Sequence, residues 1–230
     1  MIKKNKISLT LALLVGGVSA ATATGFNGFY LGAHVGGAML QGTHTYTNGG
    51  SKPGAQKTKG ISYLAGINAG YLKQMGASNM VVGGEAYFSM AGPKASLNLQ
   101  IPDGPLEGKA NISHKSAMGG ALIAGALLNP KVLMYVKLAY ELDKFTFKYT
   151  ALTFQTPTSE SYSKTTRAFV PGAGALYKVS ESLLVGGEYG YAKIKKMQPR
   201  TDAVALNGAQ RGYTYAPEEH RLTAKIVYVF

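Results

Sequence analysis

The sequence predicts an all-β protein, an eight-stranded antiparallel up-and-down barrel that crosses a membrane. Short segments that alternate bulky apolar residues with small or polar ones recur along the chain. The separators between them alternate short and long, as in a meander with one plain end and one elaborated end. The chain also stops on a strand, RLTAKIVYVF, whose last residue is aromatic. Chain ends ordinarily fray into water, so this last strand needs a partner and an apolar neighbour.

The first element is a leader. Lys3, Lys4 and Lys6 precede an apolar core at about 7–18 and then small residues, the three-part plan of a secretory signal peptide over residues 1–23. Cleavage after Ala23 fits the A-x-A form of Ala21-Thr22-Ala23, and Ala20 is the alternative. Removing its three lysines takes the net charge from +13 to +10 and leaves residues 24–230 as one barrel domain. Cysteine is absent, which removes disulfides, thiolate metal sites and cysteine nucleophiles. A helical span at 117–136 is rejected, because Asn129-Pro130-Lys131 breaks it.

The strands follow in order. In GFYLGAHVGGAM, Phe29, Leu31, Ala33, Val35 and Met39 share one face, against Tyr30, Gly32, His34 and Gly36. GISYLAGINAGYL sets Ile61, Tyr63, Ile67 and Tyr71 against Ser62, Gly66, Asn68 and Gly70. MVVGGEAYFSM sets Met80, Val82, Phe88 and Met90 against Gly83, Glu85, Tyr87 and Ser89. The segment 116–128 is apolar on both parities, so its faces stay unassigned. VLMYVKLAYEL sets Val132, Met134, Val136, Leu138, Tyr140 and Leu142 against Tyr135, Lys137, Ala139 and Glu141. AFVPGAGALYKV and SLLVGGEYGYA follow the same plan, with Glu188 on the small-residue face of the second. In the last strand Leu222, Ala224, Ile226, Tyr228 and Phe230 oppose Arg221, Thr223, Lys225, Val227 and Val229. The separators 73–79, 129–131 and 179–182 are short; 41–60, 91–115, 143–167 and 193–212 are long. VGGEAY at 82–87 and VGGEYG at 185–190 echo each other, a modest sign of duplication.

The faces decide between a soluble barrel and a membrane barrel. A narrow interior must be filled by side chains, and the face available for it is glycine, alanine, serine, tyrosine and a few charges. The opposite face is too long and too uniformly apolar to leave in water. Apolar outside with small and polar residues inside is the membrane-barrel pattern. Closure also pairs every edge N–H and C=O, as hydrocarbon requires.

The leader, the GFYLGAHVGGA strand, the GAGALYKVSESLLVGGEYGY hairpin and the terminal KIVYVF together resemble the small Gram-negative outer-membrane β-barrels, the opacity-type and OmpA-like transmembrane barrels. The resemblance covers essentially the whole chain after the leader, apart from the long loops. It implies a bacterial outer-membrane location, a monomer, and contact with outer-membrane lipid. It also implies that the barrel-assembly machinery reads Ile226, Tyr228 and Phe230, and that the long loops face outward, where lipopolysaccharide phosphates lie. The chain stops at Phe230, so no peptidoglycan-binding domain of the kind carried by full-length OmpA-type proteins is expected after the barrel.

Two sets of charged residues are candidates for function. Glu85, Lys137, Glu141, Glu188, Arg221 and Lys225 fall on inward faces and are expected to pair across the lumen, either as a stiffening network or as a gate. The long separators carry net charges of +3, +1, +2 and +4, the whole +10 of the chain without its leader. Lys52, Lys57, Lys59, Lys193, Lys195, Lys196, Arg200 and Arg211 would form a basic crown able to meet an external anionic ligand. His34, His44, His114 and His220 lack metal-ligand spacing, and no histidine stands near the serines 159, 161 and 163. No enzyme activity, cofactor, metal or nucleic-acid partner is expected. The function expected is structural, adhesive or antigenic; the alternative is a narrow solute channel, since a wide pore takes about twice as many strands.

Overall fold

Alternation along each segment makes a wall with two faces, and the computed structural model closes that wall into a barrel. It describes residues 26–48, 54–76, 78–92, 94–100, 107–152, 157–197, 203–204 and 210–230. The strands are β1 (Gly28–Asn48), β2 (Gly54–Gln74), β3 (Met80–Ala91), β4 (Lys94–Gln100), β5 (Glu107–Asn129), β6 (Val132–Leu152), β7 (Pro157–Lys178), β8 (Leu183–Ile194), β9 (Ala203–Val204) and β10 (Gln210–Val229). All pairings are antiparallel. Strand β4 continues β3 along β5 after a break at Gly92, and β9 continues β8 along β10, so ten segments make eight wall positions. The leader lies outside the described residues.

The last strand closes the wall. β10 pairs with β1 from Tyr30↔Val229 to Asn48↔Arg211, and the Phe230 N–H donates to the Phe29 carbonyl at 2.8 Å. Its even-numbered side chains point outward, with Leu222 67%, Ile226 50% and Tyr228 51% exposed, while Val227 and Val229 are buried inside. At ~3.4 Å per residue and a tilt of ~40°, the run from Leu222 to Phe230 rises about 21 Å, close to the ~25 Å apolar band of a membrane barrel. Phe29, Leu31, Val35, Ile61, Ile67, Met90, Val136, Leu138 and Phe169 extend that exposed belt around the wall.

The short turns are ordered by local bonds. Ser78 N donates to the Met75 carbonyl at 3.1 Å, and Gly76 takes a left-handed φ of +57° between them, which suits glycine. Asn129 Oδ1 accepts from Lys131 N at 2.8 Å, and Ser180 Oγ accepts from Leu183 N at 3.2 Å.

Two features differ from the sequence reading. Most of the long separators are strand: the β1–β2 pairing runs on to Tyr46↔Gly54, and the β5–β6 and β6–β7 pairings run out to Leu152. The ladder continues past the apolar belt because inward residues there, such as Phe145 and Phe147, still have a core to fill. The interior is also not uniformly small and polar. Near the short turns Leu72, Val81, Ile123, Leu133, Leu184 and Val227 form an apolar plug. At the far end Leu40, Ile112, Phe145, Phe147, Met197 and Tyr215 form an apolar cap. The faces of 116–128 are now plain: Met118, Leu122 and Leu128 point out, and Ala117, Ala121 and Ile123 point in.

Candidate functional site

Between plug and cap the charged residues stand in two tiers. In the lower tier Lys137 on β6 and Lys225 on β10 each bridge the same two carboxylates. Lys137 Nζ lies 2.8 Å from Glu85 and 2.7 Å from Glu188; Lys225 Nζ lies 3.0 Å from each. Two cations and two anions close a neutral square. Tyr30 and Asn68 donate to Glu85 at 2.9 and 3.0 Å, and Tyr135 donates to Glu188 at 2.8 Å, so lone pairs not used by lysine are also satisfied.

The glycines on the inward faces make room for this. A Cβ at Gly70 would stand 2.6 Å from the Tyr30 ring, and one at Gly174 would stand 2.6 Å from the Tyr135 ring. Each tyrosine therefore lies flat across a glycine of the next strand and reaches its glutamate. The two arrangements correspond: Tyr30 with Tyr135, Gly70 with Gly174, and Glu85 with Glu188. In the plug below, Leu72 corresponds to Leu176, each paired with the glycine two before the glutamate. The VGGEAY and VGGEYG echo is thus one visible piece of a repeat that relates the β1–β5 half to the β6–β10 half.

The upper tier centres on Arg221. Its guanidinium holds Glu141 at 2.7 and 2.9 Å and Glu219 at 2.6 Å, with Asp143 at 3.5 Å. Tyr87 donates to Glu141 at 2.8 Å. His114, fully buried and stacked on Phe145 with ring centroids 4.7 Å apart, bonds Glu219 through Nδ1 at 2.9 Å. Its Nε2 stands 2.9 Å from Asp143. Between the tiers His34 bonds Ser89 at 2.9 Å beside a cavity of about 40 Å³, room for two or three waters at roughly 10–15 Å³ each. A second space of about 10 Å³ lies at the edge of the plug.

All six inward residues named from the sequence stand in these tiers, Glu85, Lys137, Glu188 and Lys225 in the lower and Glu141 and Arg221 in the upper. Sequence reasoning missed His114, Asp143 and Glu219. Parity could have found two of them, because Glu141-x-Asp143 and Glu219-x-Arg221 share a face with known inward residues. Ile226, Tyr228 and Phe230 all project from the outward side of the closing seam, Tyr228 and Phe230 with ring centroids 5.2 Å apart.

Five of the eight basic residues read as a crown have described side chains, and these stand at two places on the wall. Lys57 and Lys59 are exposed on β2, directly past Ile61. Lys193 on β8 and Lys195 and Lys196 just after it are exposed three wall positions away. Lys52 and Arg200 lie outside the described residues. Arg211 pairs through its backbone with Asn48 and Ala203, and its side chain lies outside what is described.

A family model described as outer membrane protein beta-barrel domain matches residues 8–230. The outer membrane protein OprG from Pseudomonas aeruginosa has a similar structure: 16% identity, 90% of this chain and 98% of that chain covered, TM-score 0.56. The outer membrane protease OmpT from Escherichia coli is similar at 9% identity, 89% and 97% coverage and TM-score 0.50. Neisserial surface protein A matches at 13% identity, 88% and 97% coverage and TM-score 0.43. At these identities the likeness is one of fold. No curated protein sequence matches.

Proposed function

Because the chain belongs to the outer membrane protein β-barrel domain family, we propose that it serves as a sealed structural barrel of the bacterial outer membrane whose basic outer end meets anionic surface groups. One observation carries the reading. From the turn end to the far end, the lumen is filled by plug, neutral square, Arg221 tier and cap, with a space of about 40 Å³ between the tiers. Breaking a buried ion pair costs about 3–5 kcal/mol, so an ion cannot pass without dismantling the tiers. Short turns face the periplasm and the extended end faces outward in such barrels. There the exposed lysines of β2 and β8 rise just past the apolar belt, where adhesive or antigenic contacts would be made. Biogenesis in this reading runs through recognition of Ile226, Tyr228 and Phe230 by the barrel-assembly machinery, and the barrel works as a monomer.

The test is planar-bilayer recording on refolded protein. A silent bilayer at protein levels shown by proteolysis to be inserted supports the sealed scaffold. Resolvable single-channel steps would overturn it in favour of a narrow channel.

A further inference from the structure

We infer that the outer face of β6, β7 and β8 carries a binding site for the phosphorylated headgroup of an outer-leaflet saccharolipid of the lipopolysaccharide class. This rests on the proposal that the basic end meets anionic groups, and it names where and with what.

The site is defined by register. Phe169 on β7 pairs with Lys193 on β8, and one step further out the Lys195 N–H donates to the Arg167 carbonyl at 2.9 Å. Arg167 and Lys195 are therefore directly opposed on neighbouring strands, and both side chains are exposed on the outward face. Side chains so placed have Cβ atoms ~5 Å apart, and like charges there destabilise a sheet. No ion pair among the described residues engages Arg167, Lys193 or Lys195. On β6, Leu142 lies beside Arg167, and Lys144 follows it on the same outward face. Glu218 on β10 pairs with Lys193 and is the acid at the edge of this patch.

The surroundings fit a lipid rather than a free ion. Directly below the cations, Tyr140, Phe169 and Leu142 face outward at the top of the apolar belt. Grooves on either side of Arg167 have volumes of about 490 and 680 Å³, one lined by Lys193 and Lys195, the other by Met118 and Leu142. A ligand with anionic groups above and acyl chains below would bridge the opposed cations and cover the apolar floor at once. A phosphate accepting from a guanidinium and an ammonium together makes charge-assisted bonds, and at the edge of hydrocarbon it is screened less than in open water.

The experiment uses the whole refolded chain in detergent micelles, titrated with bisphosphorylated lipid A, with dephosphorylated lipid A, and with inorganic phosphate, and read by native mass spectrometry. Wild type should bind the bisphosphorylated form at least tenfold more tightly than the dephosphorylated form, with phosphate a weak competitor. Arg167→Gln with Lys195→Gln should lose at least tenfold. Lys73→Gln with Lys131→Gln, which removes the same charge at the periplasmic end, should lose nothing. Lys195→Glu sets an acid opposite Arg167; it should keep or raise thermal stability and still lose lipid A, which separates binding from folding. Equal binding by wild type and the Arg167/Lys195 variant, or no dependence on lipid phosphates, would overturn the site. Inorganic phosphate binding as tightly as lipid A would overturn the lipid assignment. A protein that fails these tests yet stays silent in bilayers loses this site and keeps the sealed scaffold, so the two readings fail separately.

Discussion

Glu188→Leu is the sharpest probe of the lower tier. Glu188 receives Lys137 at 2.7 Å, Lys225 at 3.0 Å and the Tyr135 hydroxyl at 2.8 Å. Removing it leaves two buried lysines facing Glu85 alone, one uncompensated cation in a space walled by the plug. Breaking a buried pair in this way costs about 3–5 kcal/mol. The loss should fall toward the lower value, about 3 kcal/mol, because Glu85 still lies within 3 Å of both ammonium groups and shares their charge. Lys137→Met alone should cost a similar amount by stranding a carboxylate. The double variant restores a neutral Lys225–Glu85 pair, so it should be less damaging than the sum of the singles by about 2–3 kcal/mol, the upper range for coupled neighbours. The assay is equilibrium unfolding by guanidinium in detergent or lipid, followed by tyrosine fluorescence and a double-mutant cycle. Additive losses, or a single-variant loss under about 1 kcal/mol, would mean a hydrated lumen in which these charges are screened, and the argument from a sealed interior would fail with them.

Tyr228→Asp on the lipid face should cost roughly 2 kcal/mol or less, and it and deletion of Phe230 should lower outer-membrane levels in cell fractionation while export across the inner membrane persists. Leu184→Ala, which hollows a fully buried plug position, should cost about 2–5 kcal/mol in the same unfolding assay. Arg221→Met, by stranding Glu141 and leaving His114 alone against Glu219 and Asp143, should be the most destabilising single change tested, beyond the ~3–5 kcal/mol of one broken pair. Residues 24–130 and 131–230, expressed separately and co-refolded in detergent, should regain the far-ultraviolet β-signal and protease resistance of the intact barrel, and neither fragment should do so alone.

How much of this was legible in the sequence depended on what each face has to touch. β1 and β10 were readable because their outward residues meet lipid, while their inward residues in mid-strand, Gly32 to Ala38 and Arg221 to Lys225, are small, polar or charged, so parity sorts them. The segment 116–128 was unreadable because Ile123 faces the plug while Leu122 faces lipid, and hydrocarbon on both sides erases the alternation. The upper tier was half hidden for a different reason. Glycine, proline and lysine in 91–115 and 143–167 look like loop, yet strands that rise past the membrane need no apolar outer face, so Lys144 and Lys148 can stand outward on continuous strand. His114 carries no local signal at all: its partner Asp143 depends on the β5–β6 register, and Glu219 comes from β10, which only closure brings across the lumen. The cluster of Arg167 with Lys193 and Lys195 likewise depends on the β7–β8 register, which spacing along the chain does not set.

The repeated halves also explain why the barrel needs two unlike parts. Shape is repeated: each half supplies a tyrosine, a glycine that seats it, a glutamate and a share of the plug. Charge is not. Lys137 and Lys225 both belong to the second half, and by the strand pairing within each half the places that correspond to them in the first are Gly32 and Ile123. The room is exchanged as well. Gly32 pairs with Asn68 on β2, whereas in the second half Lys137 pairs with Gly172 on β7, so the large and small partners have changed sides. Asn68 on the second strand of its half donates to Glu85, and Lys137 on the first strand of the other half spans both glutamates. Two copies of the first half would bury two carboxylates with no cation, and two copies of the second would bury four lysines against two glutamates. Either excess is several kcal/mol per unpaired ion. Only the unlike halves together give a neutral lower tier, so the network that fills the lumen also specifies which two halves may close the wall.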